Sequence, residues 1–272
     1  MNRRLPIGVF DSGVGGLTVL RALRSAMPTE DFIYLGDTAR LPYGTKSETT
    51  VVRYSLQCAA ALLKRQIRCL VIACNTASAS ALPSLRAQYP SLPVIGVIEP
   101  GAEAALSASK SQHIAVIGTD GTIEGGAYQK AICRLSASAV VIAKPCALFV
   151  SLAEEGWTEG PIVQAVARRY LDPIFLAADA PDTLVLGCTH FPALLSSIRA
   201  VLPPEVTIVD SAATTATAVR RQLSAHEGKE PANAGRGSVR WLATDGAPRF
   251  ARVGSAFLGE TLRTADVEII DL

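Results

Sequence analysis

The sequence predicts an α/β protein of two similar units, each with a mainly parallel sheet flanked by helices, related by a pseudo-two-fold axis. Three observations predict it. Short Val/Ile-rich runs recur along the chain and close on small or polar residues. A helical pattern follows each run, and strands alternating with helices build parallel sheets. The runs of the first half are answered, in order, by those of the second.

The runs cover residues 7–10, 32–35, 70–73, 94–97, 114–117, 140–142, 184–186 and 206–209. Continuous apolar stretches of this length mark strands buried on both faces. The repeat pairs Ile7-Gly8-Val9-Phe10-Asp11-Ser12-Gly13 with Ala115-Val116-Ile117-Gly118-Thr119-Asp120-Gly121. It then pairs Leu70-Val71-Ile72-Ala73-Cys74-Asn75-Thr76 with Leu184-Val185-Leu186-Gly187-Cys188-Thr189-His190, and the run ending at Glu99 with the run ending at Asp210. The paired positions are separated by closely similar spans of chain. Any parallel α/β protein repeats strand–turn–helix units, but three ordered pairs, one with matched cysteines, point to a duplication. The expected division is 1–97 plus 211–272 for the first unit, carrying Cys74, and 98–210 for the second, carrying Cys188. Residues 224–237 are polar and Gly-rich and predict a loop or linker. Residues 238–244 alternate like an edge strand, and 247–258 suit a helix packed back on the first unit.

Composition narrows the function. At 272 residues with 49% hydrophobic content, the chain can fill one large or two ordinary cores. A formal charge of +2, with Lys and Arg scattered, leaves no nucleic-acid footprint. The N-terminal residues lead directly into the first strand, with no room for a signal-peptide apolar segment, and no apolar run approaches the roughly 20 residues that span a bilayer. A cytoplasmic location away from membranes is expected. In a reducing compartment the six cysteines are buried, catalytic or metal-binding rather than disulfide-linked. Oligomeric state is open, a homodimer included.

Ligands of parallel α/β sheets bind beyond the carboxyl ends of the strands, so the residues after each strand carry the functional reading. Two units about a pseudo-two-fold axis turn those ends toward one cleft, where Cys74 and Cys188 face each other. Each cysteine follows an apolar strand and precedes a small-residue helical stretch. At a helix N-terminus, free N–H groups and the positive dipole end would lower a thiol pKa from about 8.5. Either cysteine alone could be a core filler; as a symmetric pair they are poised as two bases. Two bases on opposite faces of one carbon suit removal of a proton from one side and its return on the other, which inverts a stereocentre.

The neighbouring turns supply donors and acceptors. Asp11-Ser12-Gly13-Val14-Gly15-Gly16 is a Gly-rich turn able to wrap N–H groups around a carboxylate or a phosphate, and Asp11 can orient a thiol or hold an ammonium group. Asp37 opens a loop that reaches Pro42-Tyr43-Gly44 on the same rim. Asn75 and Thr76, and Thr189 and His190, follow the two cysteines, although ordinary capping explains Asn and Thr as well. His190 is two residues from Cys188, as proton acceptor or orienter. No second CxxC or HxxxH completes a tetrahedral metal set, and no lysine pattern suggests a Schiff-base cofactor, so neither a metal nor an organic cofactor is expected.

These residues resemble the glutamate racemases of the aspartate/glutamate racemase family over nearly the whole chain. The specific segments are residues 8–18, residues 34–40 with Pro42-Tyr43-Gly44, Ala73-Cys74-Asn75-Thr76-Ala77-Ser78, and Gly187-Cys188-Thr189-His190-Phe191-Pro192. The resemblance implies cofactor-independent interconversion of L- and D-glutamate for peptidoglycan synthesis, with Cys74 and Cys188 as the proton donor/acceptors. It implies that Asp11 assists Cys74, and that His190 and Glu154 assist Cys188, with Glu155 beside Glu154 as the competing carboxylate. It places Asp11, Ser12, Pro42, Tyr43, Gly44, Asn75, Thr76, Thr119, Thr189 and His190 around the substrate, and Asp37 in support of the loop. Aspartate and hydantoin racemases share the architecture and remain alternatives, as do a single-cysteine hydrolase or decarboxylase and a small-molecule binding module.

Overall fold

The structure is a computed structural model and describes residues 5–224 and 235–272. Most of the tract read as a linker lies outside the described residues. The described residues form ten strands: β1 (Ile7–Asp11), β2 (Phe32–Gly36), β3 (Cys69–Ile72), β4 (Val94–Gly96), β5 (His113–Gly118), β6 (Val140–Pro145), β7 (Thr183–Gly187), β8 (Thr207–Asp210), β9 (Val239–Ala243) and β10 (Val267–Ile269). They form a six-stranded sheet, β10-β9-β2-β1-β3-β4, and a four-stranded sheet, β6-β5-β7-β8. Every pairing is parallel.

The order β2-β1-β3-β4 repeats as β6-β5-β7-β8, strand for strand, in line with the sequence repeat. The central strands β1, β2, β3 and β7 are buried along their whole length, as their continuous apolar runs require, because helices cover both faces. Burying each such Val, Leu or Ile contributes about 1.5–3 kcal/mol relative to exposure, so the middle of each sheet is its most stable part. β6 is the open edge of the smaller sheet and is partly exposed.

One expectation needs correction. Residues 238–244 were expected at an edge, but β9 lies inside the larger sheet, between β2 and β10. Its alternation reflects the exposed Arg240 and the buried Trp241 near its start, followed by buried Leu242 and Ala243 at its end. The true edge is the three-residue β10, where Glu268 binds Arg240 through Oε2 at 2.7 Å. The helix Ala247–Leu258 forms as the pattern predicts, burying Phe250, Val253, Phe257 and Leu258.

Register brings the strand ends level. Phe10 of β1 is paired with Ile72 of β3, which sets Asp11 and Ser12 beside Ala73 and Cys74. Gly118 of β5 is paired with Gly187 of β7, which sets Thr119 beside Cys188. The two sheets thus offer the same two positions, a strand-end turn and a cysteine, to the space between them.

Candidate active site

Cys74 caps the helix Asn75–Gln88, its Sγ accepting a hydrogen bond from Ala77 N at 3.4 Å. The thiol donates to Ser12 Oγ at 3.6 Å. The helix-terminal position is therefore as expected, but its electrostatic consequence is not. Burial pushes the Cys74 thiol up to about 12, the nearby Asp11 charge adds to this, and the Ala77 N–H and Ser12 only partly oppose it. Desolvation of the thiolate outweighs the helix terminus.

Cys188 departs from expectation in another way. A turn and a 3₁₀ segment, Phe191–Leu194, follow it instead of an α-helix. Pro192 in that segment lacks an N–H. Its partner is a side chain: Cys188 Sγ lies 3.8 Å from His190 Nδ1. His190 Nε2 lies 3.0 Å from Glu154 Oε1, and Glu154 Oε2 accepts a hydrogen bond from Arg249 Nη2 at 2.9 Å. Burial disfavours the imidazolium, but hydrogen bonds and charge from Cys188 and Glu154 prevail and raise the His190 pKa to about 10. Glu154 is held below its ordinary value mainly by the His190 hydrogen bond. Glu154, at the end of the helix Leu148–Glu154, is thus the carboxylate facing the imidazole, while Glu155 is the exposed residue that follows.

The two cysteines share one space, near enough that charge on Cys188 opposes ionisation of Cys74. Hydrogen bonds close its walls. Thr76 Oγ1 meets Thr119 Oγ1 at 2.9 Å and Thr122 Oγ1 at 3.2 Å. Tyr128 donates to Asn75 Oδ1 at 2.8 Å, and Thr18 donates to the Thr189 carbonyl at 3.2 Å. Thr119 also caps the short helix Asp120–Glu124. Glycines allow the approach: a Cβ on Gly44 would lie 2.7 Å from Thr119 Cβ.

At this site two buried polar atoms, Asp11 Oδ1, an acceptor, and Asn75 Nδ2, a donor, have no hydrogen-bond partner among the described residues. The other Asp11 oxygen accepts Gly13 N at 2.9 Å. Buried polar groups nearly always have partners, so this acceptor and donor suit the ammonium and carboxylate of an amino acid. Desolvation raises the Asp11 pKa, against the opposing charge of His190 and backbone N–H groups.

The loop after β2 is fixed from below. Asp37, fully buried, accepts from Arg40 Nε at 2.8 Å, from Thr244 Oγ1 at 2.9 Å and from the Tyr43 hydroxyl. Tyr43 and Gly44 are buried, whereas Pro42, joined to Leu41 by a cis bond, is exposed and shapes the turn. Arg249, Thr122, Tyr128 and Thr18 were not singled out from sequence. Thr18 closes the first motif segment without a role assigned to it, whereas Arg249, Thr122 and Tyr128 sit in helices with no motif of their own, and only the tertiary fold carries them here.

Parallel α/β sheets, doubled, with a cysteine after the equivalent strand of each, define an α/β protein whose two strand-end turns bring a pair of thiols to one space. Comparison with known proteins makes this specific. Residues 7–219 match the model of the Asp/Glu/Hydantoin racemase family. Glutamate racemase of Geobacter metallireducens is 50% identical over 256 residues, covering 94% of this chain and 93% of that protein. Glutamate racemase of Thermus thermophilus, solved with β-chloro-D-alanine, is 43% identical and superposes with a TM-score of 0.86 over 99% of this chain and 98% of that one. The Francisella tularensis enzyme, solved with D-glutamate, is 36% identical with a TM-score of 0.89 over 98% of both chains. The chain belongs to the Asp/Glu/Hydantoin racemase family and is an isomerase. No helix among the described residues is long and apolar enough to cross a membrane.

Proposed function

We propose that this protein is a glutamate racemase that interconverts L- and D-glutamate by two-base proton transfer between Cys74 and Cys188, supplying D-glutamate for peptidoglycan. The observation that carries the reading is the equivalent placement of the two thiols at the ends of β3 and β7, in one shared space. One sulfur, as thiolate, takes the α-proton while the other, as thiol, delivers its own to the opposite face. The reverse reaction exchanges the roles, and no proton is gained or lost. The α-proton is very weakly acidic, so orientation and fixed donors must supply most of the rate. Asp11 and Asn75, with their unpaired buried atoms, and the Ser12, Thr76 and Thr189 groups around them would hold the ammonium and carboxylates. Tyr43, Gly44 and Thr119 would form the facing wall. His190, kept protonated by Glu154, stands 3.8 Å from the Cys188 sulfur, where it can orient that group and exchange a proton with it.

The domains follow as residues 1–97 with 211–272 and residues 98–210. Sheet membership supports this, as does the packing of the helix Ser211–Ser224 on the helix Leu17–Ala26.

The test is circular dichroism of L- and D-glutamate, and of L-aspartate, in deuterium oxide. Loss of optical activity with glutamate, with solvent deuterium at the α-carbon of the product, is expected. Inversion of aspartate alone would reassign the substrate, and inverted product without deuterium would overturn the two-base mechanism.

A further inference from the structure

The two halves of the site are unequal in how their charges are compensated. Around Cys74 the strongest titratable neighbour is the fully buried Asp11, with Cys188 and Tyr34 also coupled to it, and among the described residues no cation hydrogen-bonds to its sulfur. Behind Cys188 runs a chain of three groups: His190 at 3.8 Å from the sulfur, Glu154 at 3.0 Å from the imidazole, and Arg249 at 2.9 Å from the far carboxylate oxygen. The chain passes from a buried imidazole to a half-exposed guanidinium.

We infer that Arg249 is a positioning residue for the Cys188 half-reaction, fixing Glu154 so that the imidazole of His190 stays aimed at the sulfur. The inference rests on the two-thiol reading. Glu154 closes the C-terminal end of the helix Leu148–Glu154, where the helix dipole disfavours a carboxylate. A cavity of about 130 Å³ lies against Glu154 and Arg249, so packing alone does not hold the carboxylate on that side. Arg249 supplies the missing anchor. The same helix, Ala247–Leu258, braces the imidazole itself: Phe257 packs edge-on against His190 with ring centroids 5.2 Å apart. One helix thus sets both the plane of the imidazole and the carboxylate that orients it. Among the described residues, no equivalent chain of ionic groups stands behind Cys74.

A one-sided role has a kinetic signature. Enantiomers have equal free energy, so kcat/KM must be the same in both directions whatever the mutation does. The asymmetry appears in the primary isotope effect of an α-deuterium label, which reports the step in which the substrate's own C–H bond breaks. Raising the barrier of the Cys188 transfer makes that step more limiting. The isotope effect then rises for the enantiomer that Cys188 deprotonates and falls for the one that Cys74 deprotonates.

The experiment compares wild type with Arg249→Gln and Arg249→Lys on both α-deuterated enantiomers. Cys74→Ser and Cys188→Ser assign each enantiomer to its thiol, by which enantiomer still exchanges its α-proton with solvent. Expected for Arg249→Gln is a fall in kcat/KM of about tenfold or more, with isotope effects moving in opposite directions, and Arg249→Lys restoring both toward wild type. Isotope effects that move together or stay fixed, in protein whose cysteine variants behave as stated, would overturn the role of Arg249 alone. Undiminished racemisation in either cysteine variant would instead overturn the two-thiol reading beneath it.

Discussion

Gly15 of the first strand-end turn is packed directly on Thr189 of the other sheet's cysteine turn: a Cβ at Gly15 would lie 2.4 Å from Thr189 Oγ1 and 2.7 Å from His190 Nδ1. That contact couples the two halves without any side chain of its own. Gly15→Ala is therefore expected to push Thr189 and His190 away from Cys188. Overpacking costs about 1–3 kcal/mol, while misplacing a catalytic group by an ångström costs about a hundredfold in rate. Urea unfolding and racemisation assays should find activity falling much further than stability. Equal, small losses in both would mean that the turn yields without disturbing the imidazole.

The Asp37 carboxylate ties three pieces of chain together, receiving Arg40, Tyr43 and Thr244. Tyr43→Phe removes one donor and keeps the ring, so the cost should be about 1–3 kcal/mol, with KM rising because the loop bearing Gly44 loosens. Asp37→Ala should be worse, since buried Tyr43 and part-buried Arg40 both lose their acceptor. Thermal unfolding of the two variants checks the order; Asp37→Ala as stable as Tyr43→Phe would show that Arg40 and Tyr43 find other partners.

How far such features could be read in advance depended on whether their cause was local. β1, β2, β3, β5 and β7 were legible because a strand buried on both faces must be continuously apolar, and the partly exposed β6 and β8 because their short Val/Ile runs close on turn residues. Cys74 and Cys188 were legible because duplication repeated them. β10 was not: three residues, one of them the ion-paired Glu268, make no pattern. β9 was read as an edge because its alternation stands out locally, whereas its true neighbours come from distant chain. Arg249 could not have been found at all, being 95 residues from the carboxylate it binds. The thiol pKa of Cys74 failed for a different reason, since a helix terminus is visible in sequence and complete desolvation is not.

The His190–Glu154 pair predicts a pH window for stability. A raised imidazole contributes stability that is present in full below its ordinary 6.5 and is lost as pH rises through about 10. The depressed Glu154 carboxyl contributes above its ordinary 4.5, and that contribution is lost as pH falls through its lower folded value. The advantage of wild type over Glu154→Gln should therefore be greatest at mildly acidic to neutral pH and shrink toward pH 10. Chemical denaturation across that range tests it, and NMR of the imidazole should find the His190 midpoint lowered in Glu154→Gln. A stability gap that does not change with pH would mean that the pair is not charged in the folded protein.

Asp11 and Cys74 predict an effect whose sign is opposite to that of an activating base. Burial, and next to it the Asp11 charge, push the thiol up to about 12, so Cys74 rests as a thiol and is ready to donate. Removing the charge in Asp11→Asn should lower that pKa, and each unit by which it falls gives tenfold more thiolate at a fixed pH. Peptide-mapped alkylation by iodoacetamide at mildly alkaline pH should then be faster at Cys74 in Asp11→Asn than in wild type. Cys69 gives the internal reference, since burial raises it to about 12 with no contribution from Asp11, and its rate should not change. Racemisation should nevertheless fall, because the variant loses the unpaired oxygen suited to the substrate ammonium. Faster alkylation with slower turnover would separate holding Cys74 as a thiol from binding the substrate. An unchanged Cys74 rate would mean that Asp11 is itself protonated there, the direction in which its own burial pushes it.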